Sequence, residues 1–215
     1  DIVKFLVEKG AHLDARDKYG YTSLHMATWE RHVDIVKYLV ENGAEVNAVE
    51  TWSQTSLHMA VWAGHVEIVK YLVENGAEVN AVDTFGKTAL RVAASSGYVD
   101  IVKYLVENGA EVNAVDKDGK TTLHVAAERG RVGVVKFLVE NGTQLDAKDE
   151  DGKTTLHVAA ERGRVGVVKF LVENGAQLDA KDEDGKASFD LARDQTVANY
   201  LKDEHAKLLD VKDKH

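Results

Sequence analysis

The sequence predicts an all-α solenoid of stacked helix–turn–helix units joined by short β-hairpin-like turns. The first observation behind this is a 33-residue internal repeat, visible in DIVKFLVEKG at residue 1 and DIVKYLVENG at residue 34. Near-copies begin at Glu67, Asp100, Gly133 and Gly166, and residues 118–142 and 151–175 are identical. A fixed period of this length is the signature of repeat architectures, in which each unit buries its apolar face only against its neighbours.

Two further observations place the elements inside each unit. In DIVKYLVENGA the apolar residues Ile35, Val36, Leu39 and Val40 follow a helical period, and the glycine at 43 sits where a helix ends. Asp-x-x-Gly turns such as DTFG and DKDG follow. A threonine after each turn is a suitable N-cap for a second short helix, and these residues are Thr22, Thr55, Thr88, Thr121 and Thr154.

At this point the chain resembles the ankyrin repeat family. The matching motifs are G-x-T-x-L-H-x-A-x-x-G, as in residues 119–130, and V-x-x-L-V-E-N-G-A-x-V-N-A, as in residues 69–81. The resemblance covers about residues 1–202. It departs from the family pattern in having no proline, in Ser53 and Arg31 at glycine positions, and in Arg91 where the family has histidine.

The period assigns an array to residues 1–198. We predict a partial N-terminal repeat at 1–16, repeats at 17–49, 50–82, 83–115, 116–148 and 149–181, and a C-terminal capping repeat from 182. Residues 199–215 would form the end of the capping helix and a polar tail. The chain starts on the second helix of a repeat, so we expect that an upstream segment is missing.

Composition excludes several classes of protein. The net charge of −9 argues against a nucleic-acid binder, and no apolar run is long enough to span a membrane. The absence of cysteine rules out disulfides, thiol catalysis and Cys-ligated zinc, and it fits a cytoplasmic protein or a designed one. We expect a monomer.

Motifs that resemble catalytic or ligand sites have structural explanations. The recurring His25, His58, His124 and His157 belong to the T-x-L-H motif, where the resemblance implies a role in turn hydrogen bonding. The DKDG and DEDG turns lack the spacing of a calcium loop, and Gly-Lys-Thr lacks the upstream glycine of a phosphate loop. We therefore predict no catalytic residue, no metal and no cofactor.

Aligning the repeats reveals a group of aromatic residues at positions that later repeats fill with charge. Tyr19, Trp52 and Phe85 precede the turn glycine or its substitute, where later repeats have Asp118, Asp151 and Asp184. Trp29 and Trp62 occupy a position that later holds Glu128 and Glu161. Because charged residues are almost never fully buried, these aromatic side chains are predicted to be exposed. The resemblance places these positions on the concave side. We expect two rows with neighbours roughly 10 Å apart, Tyr19–Trp52–Phe85 and Trp29–Trp62.

Exposed aromatic patches mark interaction sites in soluble proteins. We predict a non-catalytic protein–protein interaction module that binds a protein partner through the concave face of its N-terminal repeats. The predicted partner-binding residues are Tyr19, Tyr21, Trp29, Glu30, Thr51, Trp52, Trp62, Thr84, Phe85, Ser95 and Ser96.

The sequence leaves two origins open. Near-identical repeats with aromatic diversity in surface positions are typical of a selected or designed binder on a consensus scaffold. The alternative is a fragment of a natural ankyrin regulatory, scaffolding or host-interacting effector protein with a further domain. Residues Met26, Thr28, Met59 and Val61, at positions expected to be inside, also differ from the later repeats, which is more typical of a natural protein than of a surface-only library, so neither origin is favoured.

Overall fold

The computed structural model describes residues 2–212 and the side chains of residues 2–210. The described chain forms helices joined by turns and falls into two compact units. The first unit comprises residues 1–93 with 100–111, and the second comprises 94–99 with 112–215. No helix in the described part of the chain is long and apolar enough to cross a membrane.

The first unit begins with α1 (Ile2–Glu8), which has no buried residue. Two helix pairs follow, α2 (Ser23–Trp29) with α3 (Val33–Glu41) and α4 (Ser56–Trp62) with α5 (Val66–Glu74). Helix α2 packs on α3 and on α4, and α4 packs on α5. The helices α6 (Ala89–Ser96) and α7 (Val99–Glu107) contribute residues to both units.

The second unit repeats this arrangement with α8 (Thr122–Glu128), α9 (Val132–Glu140), α10 (Thr155–Glu161) and α11 (Val165–Glu173). Helix α10 packs on α8, α11 and α12 (Ser188–Leu191), and α13 (Gln195–Lys212) packs on α11 and α12. The all-α solenoid predicted from the 33-residue period is therefore confirmed. The repeat boundaries remain a prediction. Of the predicted polar tail, residues 199–212 continue α13, and 213–215 lie outside the described residues.

A threonine–histidine pair starts the short helices α2, α4 and α8. In α4, the backbone N–H of Thr55 donates to Nδ1 of His58 at 3.2 Å, and Oγ1 of Thr55 accepts from the N–H of His58 at 3.4 Å. Because Nδ1 is an acceptor, the ring proton sits on Nε2, which donates to the carbonyl of Lys87 at 3.1 Å. The predicted structural role of these histidines is confirmed by this geometry. In α4 and α8 it ties the helix to the next hairpin, whereas Nε2 of His25 in α2 is buried without a hydrogen-bond partner.

Each hairpin turn is built around a carboxylate and a left-handed residue, and the carboxylate is buried in every turn except that of Asp17. Oδ1 of Asp83 accepts the N–H groups of Phe85 and Lys87 at 2.8 and 2.9 Å, and Gly86 has a φ of 75°. The two non-glycine residues with positive φ in the described chain are Arg31 at 58° and Ser53 at 60°. Both replace a glycine found in the other repeats, as the sequence predicts.

Candidate interaction surface

The aromatic side chains identified by the alignment lie on the surface of the first unit. Tyr19, Trp29, Trp52, Trp62 and Phe85 are each between 51 and 56% exposed. The prediction of exposure is confirmed for all five. Removing such exposed apolar side chains from water lowers the free energy when a partner binds. The five residues therefore define a candidate interaction surface.

The first row runs along the hairpin tips. The N–H of Thr51 donates to the carbonyl of Tyr19 at 3.0 Å, and the N–H of Thr84 donates to the carbonyl of Trp52 at 2.9 Å. These hydrogen bonds hold consecutive tips side by side. The rings of Trp52 and Phe85 stack with centroids 6.3 Å apart and planes 16° apart. This ring-to-ring spacing is shorter than the roughly 10 Å expected between neighbours in the row.

The second row lines a cavity of about 500 Å³. Its walls are Tyr21, Met26, Trp29, Gln54, Met59 and Trp62. No ring contact joins Trp29 and Trp62 in the described part of the chain; the two rings share the cavity wall instead of stacking. A recess of this size is within the range that proteins use to bury a ligand or a side chain.

One expectation about the interior is wrong. Met26 was expected to lie inside with Thr28, Met59 and Val61, but its side chain is 49% exposed, whereas the other three are buried. The equivalent residues of the next four repeats are buried. Met26 instead adds apolar area to the surface and to the cavity.

The smaller predicted residues divide between the two units. Glu30 and Thr51 are exposed on the first unit, and Thr84 is partly exposed there. Ser95 and Ser96 are partly exposed and belong to the second unit. Nine of the eleven predicted residues therefore belong to the first unit, and the two serines belong to the second.

Sequence reasoning missed Glu50, which replaces the aspartate that starts the other hairpin turns. Its Oε1 accepts the N–H groups of Trp52 and Gln54 at 2.8 and 3.0 Å. Its Oε2 is buried and has no hydrogen-bond partner, and the residue is only 5% exposed. The signal that could have identified it is the single Glu in a position otherwise filled by Asp.

Burial and nearby charge shift the titration of groups around the cavity. The pKa of Tyr21 is raised by burial and also by the negative charges of Glu50 and Asp17. Burial lowers the pKa values of His25 and His58, so both rings are neutral at pH 7. The wall of the cavity itself contains no lysine, arginine or histidine.

Equivalent positions in the second unit carry charges that pair with one another. Nζ of Lys153 lies 3.2 Å from Glu161, and the guanidinium of Arg193 lies 3.4 Å from the same carboxylate. Arg162 contacts Glu128 at 2.7 Å. These side chains satisfy each other within the unit, which leaves the second unit without an equivalent apolar surface at these positions.

Comparisons with known proteins agree with this architecture. A family model described as ankyrin repeats in three copies matches residues 1–50, 42–116 and 108–182. The crystal structure of the ankyrin repeat domain of Bcl-3, described as a unique member of the IkappaB protein family, is similar with a TM-score of 0.82 and 29% identity. That match covers 94% of this chain and 90% of the Bcl-3 domain. A comparison with curated proteins gave no match.

Ankyrin repeats are in general non-enzymatic scaffolds that bind other proteins. The repeats predicted from the 33-residue period match the family model over most of the chain. The chain belongs to the ankyrin repeat family.

Proposed function

We propose that the chain is a non-catalytic interaction module that binds a protein partner through the aromatic surface of its first unit. The observation that carries this proposal is the contrast between the units. The first unit exposes five aromatic side chains at the positions where the second unit carries mutually paired charges. A repeat array has no structural need for exposed tryptophan at a position that also accepts glutamate.

The centre of the proposed interface lies at Trp52 and Trp62. Trp52 stacks on Phe85 on the hairpin tips, and Trp62 shares the cavity wall with Trp29. Tryptophan and tyrosine dominate the residues that contribute most to protein–protein affinity, since they bury large areas at a small loss of conformational entropy. The polar residues among those predicted would form the rim of the interface, including Glu30 and Thr51 on the first unit.

We propose that the array spans 1–198 with the repeat boundaries given above, acts as a cytoplasmic monomer, binds no nucleic acid or cofactor and catalyses no reaction. The absence of cysteine and the net charge of −9 support these points. Both origins, a designed binder and a fragment of a natural regulatory, scaffolding or host-interacting protein, are compatible with this function.

A partner is first captured on the immobilised chain, identified and purified. Its affinity for alanine variants of the chain is then measured. Replacing Trp52 or Trp62 by alanine should cost about 2–4 kcal/mol of binding, a loss of affinity of roughly 30- to 1,000-fold. Replacing Lys153 or Glu161 should change binding by less than about 1 kcal/mol. Circular dichroism establishes that each variant is folded. Normal binding by both tryptophan variants, with binding abolished in Lys153→Ala or Glu161→Ala, would refute the proposal.

A further inference from the structure

The helices α3, α5, α7, α9 and α11 end in the same sequence, Val-Glu-Asn-Gly, which places an Asn-Gly pair at the C-terminus of each. The asparagines are Asn42, Asn75, Asn108, Asn141 and Asn174. Asn-Gly is chemically labile, because glycine has no side chain to hinder an attack by its backbone nitrogen on the asparagine side chain. The shared sequence gives the five pairs the same intrinsic reactivity, so a difference between them in the folded chain has a structural cause.

The reaction open to these pairs is deamidation. The glycine nitrogen forms a bond to Cγ of the asparagine, the bond from Cγ to Nδ2 breaks, and ammonia leaves with the amide proton of the glycine. Water then opens the cyclic imide to aspartate or to its β-linked isomer, isoaspartate. The reaction consumes water alone and needs neither an oxidant nor a second protein.

The folded helix end restrains both reacting groups. At the first pair, the N–H of Gly43 donates to the carbonyl of Val40 at 3.0 Å, and Nδ2 of Asn42 donates to the carbonyl of Tyr38 at 2.8 Å. The ψ angle of Asn42 is 11°, which turns the Gly43 nitrogen away from the asparagine side chain. The same two hydrogen bonds recur at the other four pairs. The helix end must therefore open before the nitrogen reaches Cγ, so the rate follows the population of the open state.

Two of the pairs carry a further restraint from the preceding repeat. Nδ2 of Asn47 donates to the carbonyl of Gly76 at 3.0 Å, and Nδ2 of Asn80 donates to the carbonyl of Gly109 at 2.9 Å. Each bond holds the glycine that contains the attacking nitrogen. Opening these two helix ends breaks one more hydrogen bond than opening the others, so their open states are less populated.

The first pair lacks this restraint because Asp14 occupies the position equivalent to Asn47. Oδ1 of Asp14 accepts the N–H of Glu45 at 2.8 Å, but a carboxylate has no N–H to donate to the carbonyl of Gly43. Helix α3 is also the least buried of the five helices, with two buried residues where each of the others has three. Both features favour opening of the helix end at Asn42.

The last two pairs combine the opposite features. No side chain of the described residues donates to the carbonyl of Gly142 or Gly175, so these pairs lack the additional bond. Their helices α9 and α11 nevertheless have three buried residues each, which resists opening.

We propose that Asn42 is the first residue of the folded chain to deamidate, that Asn141 and Asn174 follow, and that the neighbouring amides make Asn75 and Asn108 the slowest. The new carboxylate would lie at the C-terminus of α3, where the negative end of the helix dipole disfavours it. It would also lack the N–H with which Asn42 caps the helix. Deamidation thus loosens the helix end and adds a negative charge, and it does not depend on the binding of a partner.

The test measures deamidation of the full chain under folding conditions at mildly alkaline pH. Samples taken over time are digested with trypsin, and mass spectrometry locates the mass increase at each asparagine, since the five pairs fall in five different tryptic peptides. The same measurement in urea gives the intrinsic rates, which should be equal. In the folded chain the rate at Asn42 should exceed the rate at Asn75 by at least about twofold, the effect of one hydrogen bond on the opening equilibrium.

Two matched substitutions test the role of the neighbouring amide. Asp14→Asn supplies the missing donor to the first pair and should slow deamidation at Asn42 by about two- to tenfold. Asn47→Asp removes the donor from the second pair and should accelerate deamidation at Asn75 by a similar factor. Each substitution installs a residue that another repeat already has at this position, and each should leave the remaining pairs unchanged. Circular dichroism establishes that both variants are folded.

Equal rates at the five pairs of the folded chain would overturn the proposal, and so would a faster reaction at Asn75 or Asn108 than at Asn42. An unchanged rate at Asn42 in a folded Asp14→Asn variant would also overturn it, because the neighbouring amide would then give no protection. If a variant does not fold, the order of the five rates in the wild-type chain still decides.

Discussion

Replacing Ser53 by glycine should stabilise the first unit. The φ of 60° at Ser53 places an L-amino acid in the left-handed region, where contact between Cβ and the backbone costs about 1–2 kcal/mol. Glycine removes that contact, but it gains more freedom in the unfolded chain, which offsets about 0.5–1 kcal/mol. The expected net gain is about 0.5–1 kcal/mol. For a protein of this size such a gain raises the melting temperature by roughly 1–4 °C.

The chain offers a reciprocal control at the same turn position of the next repeat. Gly86 has a φ of 75°, so Gly86→Ser should destabilise by a similar amount. Urea unfolding followed by tryptophan emission is a suitable assay, because all three tryptophans lie in the first unit. Far-UV circular dichroism follows the helices of both units in parallel. An unchanged or lower midpoint for Ser53→Gly, together with a tolerated Gly86→Ser, would show that the left-handed backbone at this turn carries no cost.

Two further predictions concern acidity and local stability. Burial lowers the pKa values of His58, His124 and His157 from 6.5, so the unfolded chain binds more protons in mild acid, and stability should fall as the pH drops below 6.5. The urea midpoint should therefore decrease from pH 7 to pH 5, and His124→Gln should flatten the decrease; a pH-independent midpoint would contradict this. Hydrogen exchange should be faster in residues 1–33 than in 133–165, because α1 has no buried residue, and the reverse order in the free protein would refute this expectation.

The architecture could be predicted from sequence because its causes are local and repeated. Helical periodicity, the turn glycines and the capping threonines recur every 33 residues. This recurrence distinguishes true helices and turns from accidental matches to their sequence patterns. The exposure of Trp52 and Trp62 followed from the charged residues at equivalent positions. These arguments need only the identity of each residue and its place in the repeat.

The details of the surface depend on information that the repeat pattern does not contain. Periodicity predicts that Met26 lies on an inward face of its helix, but it does not show whether another helix covers that face. The difference between Glu50 and Asp83 is one methylene group, and whether the longer side chain leaves an oxygen without a partner depends on its conformation in the folded turn. The stacking of Trp52 on Phe85 likewise depends on side-chain rotation.

The identity of residues 118–142 and 151–175 makes these two segments interchangeable cassettes. His124 donates to the carbonyl of Lys153 at 3.1 Å, and His157 donates to the carbonyl of Lys186 at the same distance. Excising residues 133–165 would join Val132 to Gly166 and recreate a junction that the chain already contains. The array can thus lose or gain a full period without creating a junction or a histidine contact that it does not already contain.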